Sequence, residues 1–181
     1  MRLAIAALLL VLTAAPAAAQ PLRDTASGIG ITAPQGFVAT PIPTPATPGP
    51  GRAVFDVKAP GDTDTGCRVA VNNAPSNALL SQQELNTRAA SPEYIQAMAG
   101  QLSTVYNLLG INPVGLGTVL GLGAIPRPGL AARAAELRIQ LVGLDTPIQR
   151  VTRTCIAAKR AFDDRLPGFE AVLQGLDIPT F

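Results

Sequence analysis

Apolar residues recur at two spacings along this chain, and the switch between them predicts its elements. From Ala135 to Val142, Leu137, Ile139 and Leu141 alternate with Glu136, Arg138 and Gln140. A period of two is that of a half-buried strand, one face on a core and one in water. After the break Gly143-Leu-Asp-Thr-Pro147, a second β-type run from Ile148 to Ile156 carries Cys155. Phe162, Leu166, Phe169, Val172, Leu173 and Leu176 then stand at helical spacing. Asp163 and Asp164 can cap that helix, and Pro167 is tolerable within its first turn, where N–H groups lack helical acceptors anyway. Strand, turn, strand, helix is an α+β signature.

The same reading covers the earlier chain. Residues Ser27 to Pro34 and Gly36 to Ile42 predict a short hairpin turning at Pro34-Gln-Gly36. Ala53 to Lys58 is a strand with Phe55 and Val57 on one face, followed by a turn over Gly61 to Gly66. Cys67 to Val71 is the next strand; Cys67, Val69 and Val71 share a face, so Cys67 points inward. Ser81-Gln-Gln-Glu84 is a capping box: serine and glutamate each satisfy a free backbone group. Ser91-Pro92-Glu93 opens a second, longer helix. Ile95, Met98, Leu102, Val105 and Leu109 form its apolar stripe, with Tyr94 and Tyr106 beside them, and Gly110 ends it. Such a stripe reads as core.

Two stretches interrupt the pattern. Five prolines between Pro41 and Pro50 make a stiff polyproline-type loop over 41–51, a connector or, alternatively, a Pro-rich partner site. From Tyr94 to Pro126 there is no charged side chain. Within it the Gly-rich apolar segment 110–129 reads either as a buried strand or hairpin with tight glycine turns, or as a mobile loop covering a partner or an apolar ligand. Val114, Leu116, Val119, Leu120, Leu122 and Ile125 are the candidate surface on the second reading. Glycines and prolines break this segment too often for a membrane span.

Composition adds a compartment. Arg2, the apolar run Leu3 to Leu12 and Ala17-Ala-Ala19 before Gln20 predict a cleaved secretory signal over 1–19. A run of about ten apolar residues is too short to cross a bilayer. Residues 20–181 then form a single exported domain, periplasmic or secreted, and no cysteine stands at the cleavage point to take a lipid anchor. Fourteen basic against twelve acidic residues give a net charge of +2, which implies no strong electrostatic partner and does not support nucleic-acid binding. Cys67 and Cys155 are the only cysteines. An even count in an exported chain favours a disulfide, with two buried free thiols as the other reading.

The chain is poor in catalytic groups. It has no histidine, so a histidine shuttle or triad is absent, and two lone cysteines do not make a zinc site. Gly115-Leu-Gly117 and Gly121-Leu-Gly123 have the wrong gap for a dinucleotide loop, and no lysine follows for a P-loop. Asp62-Thr-Asp-Thr-Gly66 mimics half a calcium loop, but its glycine comes one position early and position twelve would be Asn73. No pair of carboxylates stands out for hydrolysis. Eight bases against four acids between Arg127 and Arg165 read as a solvated face, with Arg150 and Arg153 of opposite parity.

The opening Ile31-Thr-Ala-Pro-Gln-Gly-Phe37, the run Thr154-Cys-Ile-Ala-Ala158 through Phe162, and Phe169-Glu-Ala-Val-Leu173 resemble the PsbP-like superfamily. That group includes the extrinsic photosystem II protein, a eukaryotic regulator that binds the GTPase Ran, and bacterial envelope proteins. The resemblance implies an antiparallel β-sheet packed by a long central helix and a C-terminal helix, an α/β/α sandwich. It also implies binding or assembly rather than a shared catalytic site, so no functional residue is carried over. The expected function is a non-enzymatic, cofactor-free exported protein that binds or helps assemble an envelope protein partner. The alternative is a carrier of a small apolar ligand, using the uncharged 94–126 region; a hydrolase built on Ser, Asp or Glu alone is a third class to which nothing points.

Overall fold

The computed structural model describes residues 21–43, 53–63, 65–113, 118–124 and 135–179, with no side chains for 118–124. The elements bounded within the described residues are, in chain order, β1 (Leu22–Arg23), β2 (Gly30–Ile31), β3 (Val38–Pro41), β4 (Ala53–Lys58), β5 (Gly66–Asn73), α1 (Gln82–Ala89), α2 (Pro92–Ser103), β6 (Asn107–Pro113), β7 (Thr118–Ala124), β8 (Leu137–Asp145), β9 (Gln149–Ala158), α3 (Phe162–Gln174) and β10 (Leu176–Asp177). Among the described residues, seven strands pair antiparallel in the order β3-β4-β5-β9-β8-β7-β6, and β1-β2-β10 make a small second sheet. The fold is α+β, as the strand and helix patterns require.

Alternation explains the main core. Ala53, Phe55 and Val57 on β4, Cys67, Val69 and Val71 on β5, and Val151, Cys155 and Ala157 on β9 are buried on one face. Phe162, Phe169 and Val172 of α3 and Ile29 and Ile31 of the small sheet close over them. Phe162 and Phe169 meet edge to face at 5.8 Å. Cys67 and Cys155 stand directly opposite each other in the β5–β9 register and are bridged, which settles the choice left open by the sequence.

The residues of opposite parity are also covered in part. Ile139 is buried outside that cluster, as are Leu85 and Ala89 of α1. Tyr94 at the start of α2 reaches Asp145, whose carboxylate shares the parity of Ile139. Helices therefore serve both faces of the large sheet.

Several expectations are corrected. The hairpin over 27–42 does not form: β2 joins the small sheet and β3 the large one. The turn itself is present, with the Phe37 amide donating to the Pro34 carbonyl at 2.9 Å and Gly36 at φ +81°, but it hands the chain from one sheet to the other. The central helix stops at Ser103, not Leu109. Ser103 and Thr104 hydroxyls donate back to the Gly100 and Gln101 carbonyls, and Asn107 to Pro113 pairs with β7 instead. Strand pairing overrides the helical spacing there. No residue of α2 is fully buried, so its stripe is a half-covered face rather than core.

On β8, Gln140 lies 2% exposed on the main-core side, where alternation expected water. The basic run is a solvated face only in part: Lys159 and Arg160 are exposed, but Arg153 is fully buried, and Arg138, Arg150 and Arg165 are paired with Asp163, Asp145 and Asp62; Arg127 and Arg133 lie outside the described residues. Asp163 and Asp164 sit in the first turn of α3 without capping it, since Ala161 is the N-cap residue. Pro167 is the sixth helical residue, beyond the first turn, and Leu176 belongs to β10.

Candidate partner-binding site

The chain at one end of the large sheet is unusually well tied. After β5, Ala74 donates its amide to the Ile148 carbonyl at 3.0 Å, and buried Asn77 donates its side chain to the Thr146 carbonyl at 3.1 Å. Gln82 at the start of α1 reaches the Asp145 carbonyl at 2.9 Å. The β8–β9 turn closes on itself: the Thr146 amide and hydroxyl both donate to the Gln149 carbonyl, and the Gln149 amide donates to the Thr146 hydroxyl. The Ser81–Glu84 capping box forms as its sequence predicts and fixes the entry to α1.

Two loops laced together in this way carry apolar tips. Leu79 is 97% exposed and Ile148 45% exposed. A leucine in water contributes nothing to folding, yet the residues on either side of it are tied: Asn77 donates to Thr146, and the Leu80 amide donates to the Asn77 carbonyl at 2.9 Å. Beside the tips, Arg150 donates to both oxygens of Asp145 through Nε and Nη2, at 2.6 and 2.8 Å, and this hydrogen-bonded pairing raises the arginine's ionisation. The Tyr94 hydroxyl meets the same carboxylate; burial first, and then the Asp145 charge, push its ionisation above the ordinary tyrosine value. Arg88 stacks over the Tyr94 ring at 5.5 Å.

Of the uncharged 94–126 region, α2 begins beside Asp145, and the described strands β6 and β7 close one side of the large sheet. β6 and β7 take the hairpin form, with a bulge between Leu108 and Gly110. Among the described residues β6 is the terminal strand, and Leu109 on it is 66% exposed. Of the candidate surface read from sequence, Val119, Leu120 and Leu122 lie on β7, paired on both sides by β6 and β8. Val114, Leu116 and Ile125, like the loop 44–52 and the segment 1–20, lie outside the described residues.

Most of the described acidic side chains are occupied structurally. Asp24 caps the turn at Ser27, Asp56 holds Lys58 and Arg68, Asp62 holds Arg165, Asp145 holds Arg150, Asp163 holds Arg138 and Asp177 holds Arg23. Burial alone would raise the carboxyls of Asp56 and Asp62, but hydrogen bonds from Arg68 and Lys58, and from Arg165, outweigh it and hold both below the usual range. Glu170 accepts from Gln140 at 2.6 Å, and Gln140 in turn accepts from Arg153 at 2.7 Å. No cluster of metal-ligating side chains occurs among the described residues.

Sequence reasoning missed Leu79 and took Ile148 as the start of a strand. The available signal was context: both are apolar side chains in turn sequences, one ahead of a capping box and one after Pro147, outside any periodic row.

No protein-family model and no curated protein sequence matches this chain. Solved structures do match. The solution structure of cyanobacterial PsbP from Synechocystis sp. PCC 6803 aligns over 93% of this chain and 99% of its own, with TM-score 0.50 and 13% identity. A variant of the protein Mog1 aligns over 89% of this chain and 96% of its own, with TM-score 0.46 and 11% identity. The resemblance read from the opening and closing motifs therefore holds at the level of the fold, which is the α+β fold of cyanobacterial PsbP.

Proposed function

We propose that this chain is a non-enzymatic exported protein that binds a protein partner of the cell envelope, using the tip formed by Leu79 and Ile148. The observation that carries the reading is a nearly fully exposed leucine on a loop fixed by buried Asn77 and the Ala74 amide. A rigid apolar tip loses little side-chain or loop entropy when it enters a pocket, which is how a few residues come to dominate an interface. The bridged cysteines and the signal-like residues 1–19 support an oxidising, exported setting. The occupied acids and the absence of histidine support a role without catalysis.

The test is a photo-crosslinking residue at position 79 of the full chain, expressed in its native host. One protein should be captured, and Ile148→Asp should abolish capture while Leu109→Lys leaves it intact. Capture of many proteins alike, or capture indifferent to Ile148→Asp, would refute the reading.

A further inference from the structure

A concave surface lies away from these tips in the strand order, at the β3 edge of the large sheet. Its lining is Val38, Thr40 and Ile42 on one side and Asp56, Lys58, Ala59 and Pro60 on the other, around a half-open cavity of about 380 Å³. That volume falls within the range of small-molecule clefts. The register explains the lining: Val38 stands opposite Lys58 and Thr40 opposite Asp56, so these side chains share one face. Val38 is 58% exposed there. The Ala59–Pro60 wall is fixed. The Asp62 amide closes the turn onto the Ala59 carbonyl, and Arg165 reaches up from α3 to hold the Asp62 carboxylate with bonds of 2.8 and 3.0 Å. Opposite Lys58, Gly66 has no side chain; a Cβ there would stand 2.7 Å from the lysine stem, so the glycine makes room for it.

Two features decide what such a groove can take. The first is charge. Lys58 at 3.1 Å and Arg68 at 2.9 Å share the single carboxylate of Asp56, leaving one positive charge in excess at the end of an apolar trough. The second is backbone. Ile42 donates its amide to Val54, so residues 38, 40 and 42 turn their backbone groups toward β4, and 39 and 41 turn theirs outward. Residue 41 is proline and has no N–H. The outer edge of β3 thus offers one donor, at Ala39, too few for an added peptide strand.

We propose that this groove binds a single-chain amphiphilic carboxylate of fatty-acid type. Its aliphatic chain lies along Val38 and Ile42 against Pro60, and its carboxylate faces the Lys58 ammonium. The inference is independent of the partner-binding reading, since neither variant below touches Leu79 or Ile148.

The experiment titrates the oxidised full chain with sodium decanoate, below its micelle concentration, and separately with decanol, following backbone amide shifts. Decanoate should shift Val38, Thr40, Ile42 and Lys58 saturably, and decanol the same residues more weakly. Lys58→Gln should weaken decanoate about threefold and leave decanol unchanged, because an exposed charge contact contributes well under 1.4 kcal/mol, the equivalent of a tenfold change. Val38→Asp should weaken both by about tenfold. No saturable shift, shifts located elsewhere, equal affinity for decanol and decanoate, or indifference to Lys58→Gln would each overturn the proposal.

Discussion

Arg153 offers the sharpest test of how the α3 layer is held to the sheet. Its side chain is fully buried on β9; it donates to the Phe169 carbonyl and to Gln140, and its Nε has no partner. Burial, opposed by the Glu170 charge, lowers its ionisation to about 10. That fall from the ordinary arginine value amounts to roughly 3 kcal/mol against the charged form at neutral pH. Arg153→Met removes this cost and the unpartnered Nε, strands the Gln140 oxygen and takes from the Phe169 carbonyl its second donor beside the helical one, at about 1 kcal/mol each. The variant should therefore range from neutral to about 1 kcal/mol more stable. Gln140→Leu does the reverse. It leaves the buried guanidinium with one fewer partner and cuts the link to Glu170, so it should cost about 2–4 kcal/mol. In the double variant Arg153→Met should restore about 2 kcal/mol of that loss. Guanidinium denaturation of the four oxidised proteins at constant m measures each term. The sign against pH is also fixed. A base lowered in the folded state is held more tightly by the unfolded chain, so its cost is complete below about pH 10 and fades above it. The gap between the wild type and Arg153→Met should be flat from neutrality to about pH 9 and shift toward the wild type beyond. An Arg153→Met loss above about 3 kcal/mol, with no rescue of Gln140→Leu, would refute this account of the buried charge.

Three further outcomes follow from single contacts. Gly175→Ala places a Cβ 2.1 Å from the Thr32 carbonyl, where the Thr32 amide already bonds Gly175, and should cost about 2–3 kcal/mol; Gly143→Ala, whose Cβ meets nothing within 4 Å, should cost under about 1 kcal/mol by thermal melting. Removing the disulfide by Cys67→Ala with Cys155→Ala releases a loop spanning 88 positions and should lower stability by about 4–5 kcal/mol in the chain-entropy model, read as the unfolding free energy extrapolated to water with m fitted for each protein, since the opened loop expands the unfolded chain and raises m. Asp62 is held below its ordinary value by Arg165, so its contribution is present above about pH 4 and is lost as pH falls through the lowered value; Asp62→Asn should remove that part of the acid limb in a pH titration of stability.

What was legible in the sequence was local. The strands β4, β5 and β9, both helix starts and the inward aim of Cys67 follow from alternation and caps that each segment carries by itself. The two-residue strands β1, β2 and β10 have no periodicity to read, so the hairpin over 27–42 was assigned to one sheet when a second sheet captures its first half. The end of α2 depended on whether residues 107–113 find a partner strand, which spacing alone does not encode. Arg153 is a different case. It has the parity of Val151, Cys155 and Ala157, so alternation already placed it on the core face; charge counting overrode the pattern. At Leu79 context marks an apolar turn residue, but the tie that fixes its loop is not legible, because Asn77 bonds Thr146, 69 positions away.

Magnitudes limit what the tip can do alone. Burying Leu79 and Ile148 in a partner contributes about 1.5–3 kcal/mol each as an upper value, less for Ile148, which is already half covered. Association costs at least about 4 kcal/mol in lost freedom, and a stable complex covers on the order of 1,200 Å² or more. Two side chains cannot supply that, so they act as the anchor of a larger contact. The surface beside them extends through the Tyr94 ring with Arg88 over it and through Arg150, whose side chain is half exposed although its Nε and Nη2 are committed to Asp145. Because Asp145 already neutralises Arg150, a partner gains little by placing an acid there. It gains more by covering the Tyr94 ring and the Arg88 guanidinium that lies over it, so the contact should depend weakly on salt. A complex that dissociates steeply as salt rises would place the binding energy in exposed charges and away from Leu79.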